Sequence, residues 1–147
     1  MNHPNQRILF LFPGQGSQYL GMGQDLYQAY DCVRQTYHEA SDILGYDMAA
    51  LSFEDSEEHI HLTRYTQPAL LTHSVACLRI FQELLARPIS AEASAGHSLG
   101  EYTALVAAGA LEFKTALNLV HHRGTLMGTH GTGEMEALPL GLKEAEL

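Results

Sequence analysis

Apolar residues along this chain fall into periodic blocks separated by glycine, proline and acidic stretches. The first block, Arg7 to Phe12, is a continuous apolar run of strand length cut off by Pro13-Gly14. It predicts a buried parallel strand running into a loop, Gly14 to Gly23. From Asp25 to about Leu44, the residues Leu26, Tyr30, Val33, Tyr37, Ala40 and Leu44 recur at three and four. That spacing predicts one helix with a core-facing stripe, stopped at Gly45. Residues Asp47 to Thr66 are polar and acidic and read as an exposed, irregular or short-helical connection, with Glu54, Asp55, Glu57 and Glu58 as a solvated face. Pro68 suits the first position of the next helix, which Leu71, Val75, Leu78, Phe81 and Leu85 carry to about Ala86 before Arg87-Pro88 ends it.

The second half repeats the scheme. Ile89 to Gly96 is a short run of small residues, followed by His97-Ser98-Leu99-Gly100 and a helical stretch from Glu101 to Ala108. After Gly109 a helix runs from about Glu112 to Met127 on Phe113, Ala116, Leu119, Val120 and Leu126. Gly128 to Gly133 reads as a hinge or linker, and Glu134 to Leu147 carries a strand near Met135 to Leu138 and a helix start near Lys143. Strand, helix, helix, strand, helix, helix is the order of an α/β fold, a parallel sheet with helical crossovers.

Length and composition narrow the function classes. The chain has 147 residues, enough for one domain with a core. Eight Lys+Arg against seventeen Asp+Glu give a formal charge of −9, which leaves little from which to build a phosphate-neutralising surface, so nucleic acid is not an expected partner. No segment approaches the ~20 apolar residues of a membrane span, and Ile8 to Phe12 is too short for a signal peptide, so a cytoplasmic protein is expected. Cys32 and Cys77 are too few for a disulfide framework and read as reduced, mostly buried thiols. His59-x-His61 and His121-His122 lack further ligands in a recognisable pattern, and no metal is expected.

Gly96-His97-Ser98-Leu99-Gly100 carries the chemistry. It matches G-x-S-x-G, the nucleophile elbow, and it lies between a predicted strand and a predicted helix, where that motif has to lie. The turn is strained so that the serine hydroxyl stands exposed at its tip, and the flanking glycines leave room for it. The following helix aims its first N–H groups at the same point, which places the Leu99 N–H to stabilise an oxyanion. An ordinary strand-to-helix turn is the competing reading. After Ser98 there is no Asp, and the later acids and His121, His122 and His130 follow no further strand, so a hydrolase triad cannot be completed here. His97 diverges from Ser98 on the sharp turn. A dinucleotide loop is excluded at Gly14-Gln-Gly-Ser-Gln, because G-x-G-x-x-G needs glycine where Tyr19 stands.

Four blocks in register, Phe12-Pro-Gly-Gln-Gly-Ser-Gln18, Thr66-Gln-Pro-Ala-Leu70, Gly96-His-Ser-Leu-Gly-Glu-Tyr102 and Arg123-Gly124, resemble the malonyl-CoA:acyl carrier protein transacylase family, which includes polyketide and fatty acid synthase acyltransferase domains. The resemblance implies an α/β-hydrolase-like acyltransferase core over residues 1–127, with residues 128–147 opening a small ferredoxin-like subdomain. It implies Ser98 as the nucleophile, Gln15 and the Leu99 N–H as the oxyanion hole, and Arg123 as the clamp for the free carboxylate of a malonyl-type substrate. A planar guanidinium suits that role because it binds a carboxylate through two parallel hydrogen bonds. Gln67 and His97 are implied as active-site wall, although a glutamine before Pro68 is equally explained by local structure. An aliphatic Leu99 after the nucleophile goes in the family with malonyl rather than methylmalonyl units.

The implied partners are malonyl-CoA or a similar acyl-CoA and an acyl carrier protein, with coenzyme A thioester as substrate and no cofactor. The family's general base is a histidine far downstream, so the chain is expected to be an N-terminal portion that lacks it. An acyl-thioester hydrolase on the same elbow and a non-catalytic binding module are the alternatives. A carboxylate clamp at Arg123 argues against the first, and aggregation of the isolated chain would argue against the second.

Overall fold

A computed structural model describes residues 7–55, 58–85 and 91–131. The elements in chain order are β1 Leu9–Phe12, α1 Gln24–Ala29, α2 Asp31–Leu44, α3 Met48–Phe53, a 3-10 turn His59–His61, α4 Thr63–Leu84, β2 Ala93–Gly96, α5 Gly100–Ala107 and α6 Phe113–His130. The two strands pair in parallel with Leu9 opposite Ala93 and Phe12 opposite Gly96. This is the α/β arrangement with helical crossovers that the blocks predict.

α4 is the central element. Its run from Thr66 to Thr72 is buried on every side, because α2 packs on one flank, α6 on another, and α5 reaches it from the strands. The core is Val33, Tyr37 and Ala40 of α2, Leu70, Leu71 and Val75 of α4, and Ala116, Leu117 and Val120 of α6. An apolar stripe from each helix meets the others there, which is what the three-and-four spacing requires.

Six local expectations change. The predicted helix from Asp25 to Leu44 is two helices, broken at Tyr30, whose backbone is extended at φ −128° and ψ 131°. Arg34 makes the break tolerable: its Nη1 donates to the carbonyls of Tyr27 (2.8 Å) and Gln28 (2.9 Å), satisfying groups the broken ladder would orphan. Helix α4 starts at Thr63, so Pro68 lies inside it rather than at its first position. The extra turn is tied down by the Thr66 hydroxyl, which reaches the carbonyls of Ile60 (2.6 Å) and Leu62 (3.1 Å).

The Asp47 to Thr66 stretch is more ordered than a solvated connection. Asp47 caps α3 by accepting from the Ala49 and Ala50 N–H groups, both at 2.9 Å. Asp55 accepts from His59 N (2.9 Å) and Ile60 N (2.7 Å), so it is a turn-closing acceptor and not part of a solvated face. Met48, Leu51 and Ile60 are buried there.

β1 is not buried on both faces. Phe10 meets Phe81 of α4 edge-on with ring centroids 6.0 Å apart, while Leu9 and Leu11 on the other face are 55% and 71% exposed among the described residues. Gly128 lies inside α6, so the predicted hinge does not begin there. The strand at Met135 to Leu138 and the helix near Lys143 lie outside the described residues. Cys32 and Cys77 are free and half-buried rather than buried. No described helix is long and apolar enough to cross a membrane.

Candidate active site

The elbow forms where β2 runs into α5. Ser98 has φ 52°, one of two left-handed non-glycine residues among those described, a conformation that costs an L-residue about 1–2 kcal/mol. Packing enforces it. A Cβ on Gly96 would stand 1.9 Å from the Gly100 carbonyl carbon, and a Cβ on Gly100 would stand 2.4 Å from the Phe12 carbonyl oxygen. Neither position accepts another residue, since such contacts fall on backbone that cannot give way. The His97 N–H donates to the Phe12 carbonyl (3.1 Å), and the Gly100 N–H returns to the His97 carbonyl (2.9 Å). The result is an exposed Ser98 at the tip of the turn.

Leu99 turns the other way. Its side chain is 1% exposed and belongs to the core, so packing accounts for its aliphatic character and it offers the site only its backbone N–H. Among the described residues that N–H has no hydrogen-bond partner, and neither has the N–H of Gln15. Gln15 follows Gly14, whose backbone lies so close to His97 that a Cβ there would meet the His97 carbonyl oxygen at 2.6 Å and its Nδ1 at 2.8 Å. The Gln15 loop is therefore packed on the elbow itself. His97 is exposed and acts as the surface against which that loop lies, not as a partner of the Ser98 hydroxyl.

Arg123 comes to the same point from α6. Its Nη2 donates to Ser98 Oγ at 2.9 Å, and its Nη1 donates to Gln67 Oε1 at 2.7 Å. Gln67 is fully buried on α4, and its own Nε2 donates to the Met127 thioether at 3.4 Å. A buried carboxamide with both ends engaged is a rigid mount for the guanidinium. Gly124 makes the approach possible: a Cβ there would stand 2.7 Å from the Thr63 carbonyl oxygen and 2.9 Å from the Arg64 Cα.

The geometry thus gathers an exposed hydroxyl, two loops whose Gln15 and Leu99 N–H groups have no partner among the described residues, and a guanidinium fixed at hydrogen-bonding distance. Such a set can form an ester, receive a developing oxyanion and hold an anionic group on the ester. The acyl transferase domain model matches residues 9–147. The chain belongs to the acyl transferase domain family.

Within this acyl transferase domain family the chain is 46% identical over 144 residues to the malonyl CoA-acyl carrier protein transacylase of Escherichia coli strain K12, covering 96% of this chain and 46% of that one. It is 47% identical over 135 residues to the transacylase of the same name from Bacillus subtilis strain 168, covering 92% of this chain and 39% of that one. Among solved structures, MCAT from Streptococcus pneumoniae superposes with a TM-score of 0.76 at 50% identity, over 81% of this chain and 38% of that one. A malonyl-transacylase solved with its type II polyketide acyl-carrier protein superposes with a TM-score of 0.78 at 52% identity, over 83% and 39%. The chain spans less than half the length of these relatives.

Of the residues expected at the acyl transferase site, the structure joins Ser98, Arg123 and Gln67 through direct hydrogen bonds and sets Gln15 and Leu99 on the two loops beside them. Two further residues emerge that the sequence pattern did not single out. Met127 receives the far end of Gln67, and Thr63 accepts the Gln15 side chain, Nε2 to Oγ1, at 3.0 Å. Thr63 lies four residues before Gln67, on the same face of α4. That relation is visible only once the helix is known to start ahead of Pro68. Elsewhere, His59 stacks on Tyr65 with centroids 5.0 Å apart and His121 lies near the Tyr46 ring at 6.3 Å. No group of three or more metal-ligating side chains occurs among the described residues.

Proposed function

We propose that the protein carrying this chain transfers a malonyl-type acyl group from coenzyme A to an acyl carrier protein, by way of an ester on Ser98, in fatty acid or polyketide biosynthesis. The observation that carries this reading is the Arg123 guanidinium, anchored on buried Gln67 and 2.9 Å from Ser98 Oγ. A malonyl ester on that oxygen carries a carboxylate within reach of Nη2, which acylation frees from the hydroxyl while Nη1 stays on Gln67. An acyl unit without a carboxylate offers Nη2 no anionic acceptor in place of the hydroxyl. Thioester hydrolysis of simple acyl groups on the same elbow has no use for this clamp.

The steps balance as two exchanges. Ser98 Oγ attacks the thioester carbonyl and gives up its proton. The tetrahedral oxyanion is received by the N–H groups of Gln15 and Leu99, and coenzyme A leaves as the thiol. The carrier-protein thiol then attacks the ester and returns the proton to Ser98. No atom changes oxidation state, so the reading calls for no cofactor beyond the coenzyme A thioester as substrate, and it places the reaction in the cytoplasm. Ser98 Oγ is bonded to a donor, Arg123, among the described residues. The resemblance supplies the proton acceptor as a histidine outside these 147 residues. The division of the chain into residues 1–127 and 128–147 belongs to the same proposal, and α6 continues across that boundary to His130.

Intact-mass spectrometry tests the reading. The complete enzyme incubated with malonyl-CoA gains one malonyl group, lost on Ser98→Ala, and passes it to carrier protein. The 147-residue chain alone acylates slower by about 10³-fold or more for want of a base. Preferential loading from acetyl-CoA would overturn the clamp reading, and normal turnover by the chain alone would overturn the missing-base reading.

A further inference from the structure

Two side chains on the first turns of α4 do matching jobs. Gln67 holds the Arg123 guanidinium at 2.7 Å. One helical turn before it, Thr63 accepts a hydrogen bond from the Gln15 carboxamide at 3.0 Å. Residues four apart lie one above the other on a helix face. The face that mounts the carboxylate clamp therefore also grips the loop that brings the Gln15 N–H to the elbow. The same turn is braced from behind, because the Thr63 carbonyl lies against Gly124, the neighbour of Arg123.

We infer that Thr63 is a positioning residue for acyl transfer: by holding the Gln15 side chain it fixes the Gln15 backbone N–H as an oxyanion donor, in register with Arg123. This rests on the acyltransfer reading above and assigns a role to a residue that reading leaves idle. Gly14 seats the start of the loop on His97, but the Gln15 N–H itself has no hydrogen-bond partner among the described residues. Beyond Gly14, the neighbouring Gly16 has φ 104° with open space around it, so packing at that point does not hold the loop. Gly16 N bonds the Gln18 carboxamide at 2.8 Å, which closes the loop on itself without fixing it to the core. Thr63 is the anchor that joins it to a buried helix.

The oxyanion forms after substrate is bound. A loosened Gln15 therefore slows the chemical step and leaves substrate affinity unchanged, whereas a lost clamp weakens recognition of the malonyl group. Thr63→Val keeps the shape and the β-branch but removes the acceptor, and Thr63→Ser keeps the acceptor.

Two readouts decide. In ¹⁵N-labelled chain, Thr63→Val shifts the Gln15 side-chain amide and backbone N–H resonances and speeds their exchange, while Thr63→Ser retains the wild-type positions. In the complete enzyme, Thr63→Val lowers kcat for malonyl-CoA by about tenfold with KM unchanged, and Thr63→Ser restores most of it. Unmoved Gln15 resonances in Thr63→Val, equal losses in Val and Ser, or a raised KM at constant kcat would each overturn the inference. A wild-type enzyme that never acylates Ser98 would overturn the functional reading and with it the catalytic role of Thr63. The resonances would then report separately on whether Thr63 holds Gln15.

Discussion

Replacing Gly124 by alanine adds one methyl group where α6 crosses the first turn of α4. The new Cβ would meet the Thr63 carbonyl oxygen at 2.7 Å and the Arg64 Cα at 2.9 Å, against 3.4 Å where ordinary contact begins. Both obstacles are main-chain atoms, so α6 has to recede by about 0.7 Å. Two energies compete. Alanine in a helix interior gains about 1 kcal/mol over glycine, and forcing a methylene into a packed contact costs about 1–3 kcal/mol. The net is a loss of about 1 kcal/mol, a fall in Tm of about 3 °C for a domain of this size.

The functional effect is larger than the stability effect. Arg123 is the adjacent residue, and its 2.9 Å bond to Ser98 Oγ stretches beyond hydrogen-bonding range if the helix withdraws by that amount. On the proposed malonyl-transfer reading, selectivity of the complete enzyme for malonyl-CoA over acetyl-CoA then falls by about tenfold. Gly128→Ala is the control, because a Cβ there meets nothing within 4 Å in the same helix. Its Tm rises by about 3 °C through helix propensity alone. Thermal unfolding followed by circular dichroism compares the two, and a Gly124→Ala variant that melts as high as Gly128→Ala would refute the close-approach argument.

Other expectations follow from the same contacts. Arg123→Lys replaces the planar fork, one nitrogen on Gln67 and the other facing Ser98, with a single ammonium, so on the proposed reading kcat/KM for malonyl-CoA falls by about 10²-fold while that for acetyl-CoA changes little, read by steady-state kinetics of the complete enzyme. Met127→Leu conserves volume but removes the acceptor of the buried Gln67 carboxamide, and denaturant unfolding registers a loss of about 1 kcal/mol. His73 has its pKa held below 6.5 by burial, partly opposed by the Asp25 charge. Its neutral form is the folded one, so the unfolded chain binds the extra proton first, and stability present above pH 6.5 is lost as pH falls below that value toward the folded pKa. A His73→Gln variant whose Tm falls as steeply as wild type over that window would refute the assignment.

The parts of the site legible in the sequence are those set by short, local constraints. Gly96 and Gly100 flank Ser98 because no Cβ fits at either place, and that requirement shows directly as a motif. The parallel pairing was legible for a similar reason, since apolar runs of strand length separated by long helical stretches admit few topologies. The break at Tyr30 does not show in the sequence, because Tyr30 keeps the apolar period of a continuous helix while the break is stabilised by a side chain, Arg34, that periodicity does not weigh. Asp55 looked solvated because an acid in an acidic stretch reads as surface, although its carboxylate closes a turn. Thr63 was hidden by the misplaced start of α4. With Pro68 taken as the first residue, Thr63 belongs to a loop and its relation to Gln67 disappears. Burial of β1 on both faces was inferred from an unbroken apolar run, which specifies what each face prefers to touch but not which element arrives to touch it.

The pairing of Leu9 with Ala93 also has a consequence in time. Every residue of α1 to α4 lies between the two strands, so closing the sheet ties together distant parts of the chain across the Tyr37 and Leu71 core. Long-range parallel contacts repay their closure entropy late in folding. The backbone twist that exposes Ser98 depends on Phe12 pressing against Gly100, a contact across that same closure. The left-handed turn that exposes the Ser98 hydroxyl is therefore held by a contact between distant parts of the chain and not by its local sequence alone.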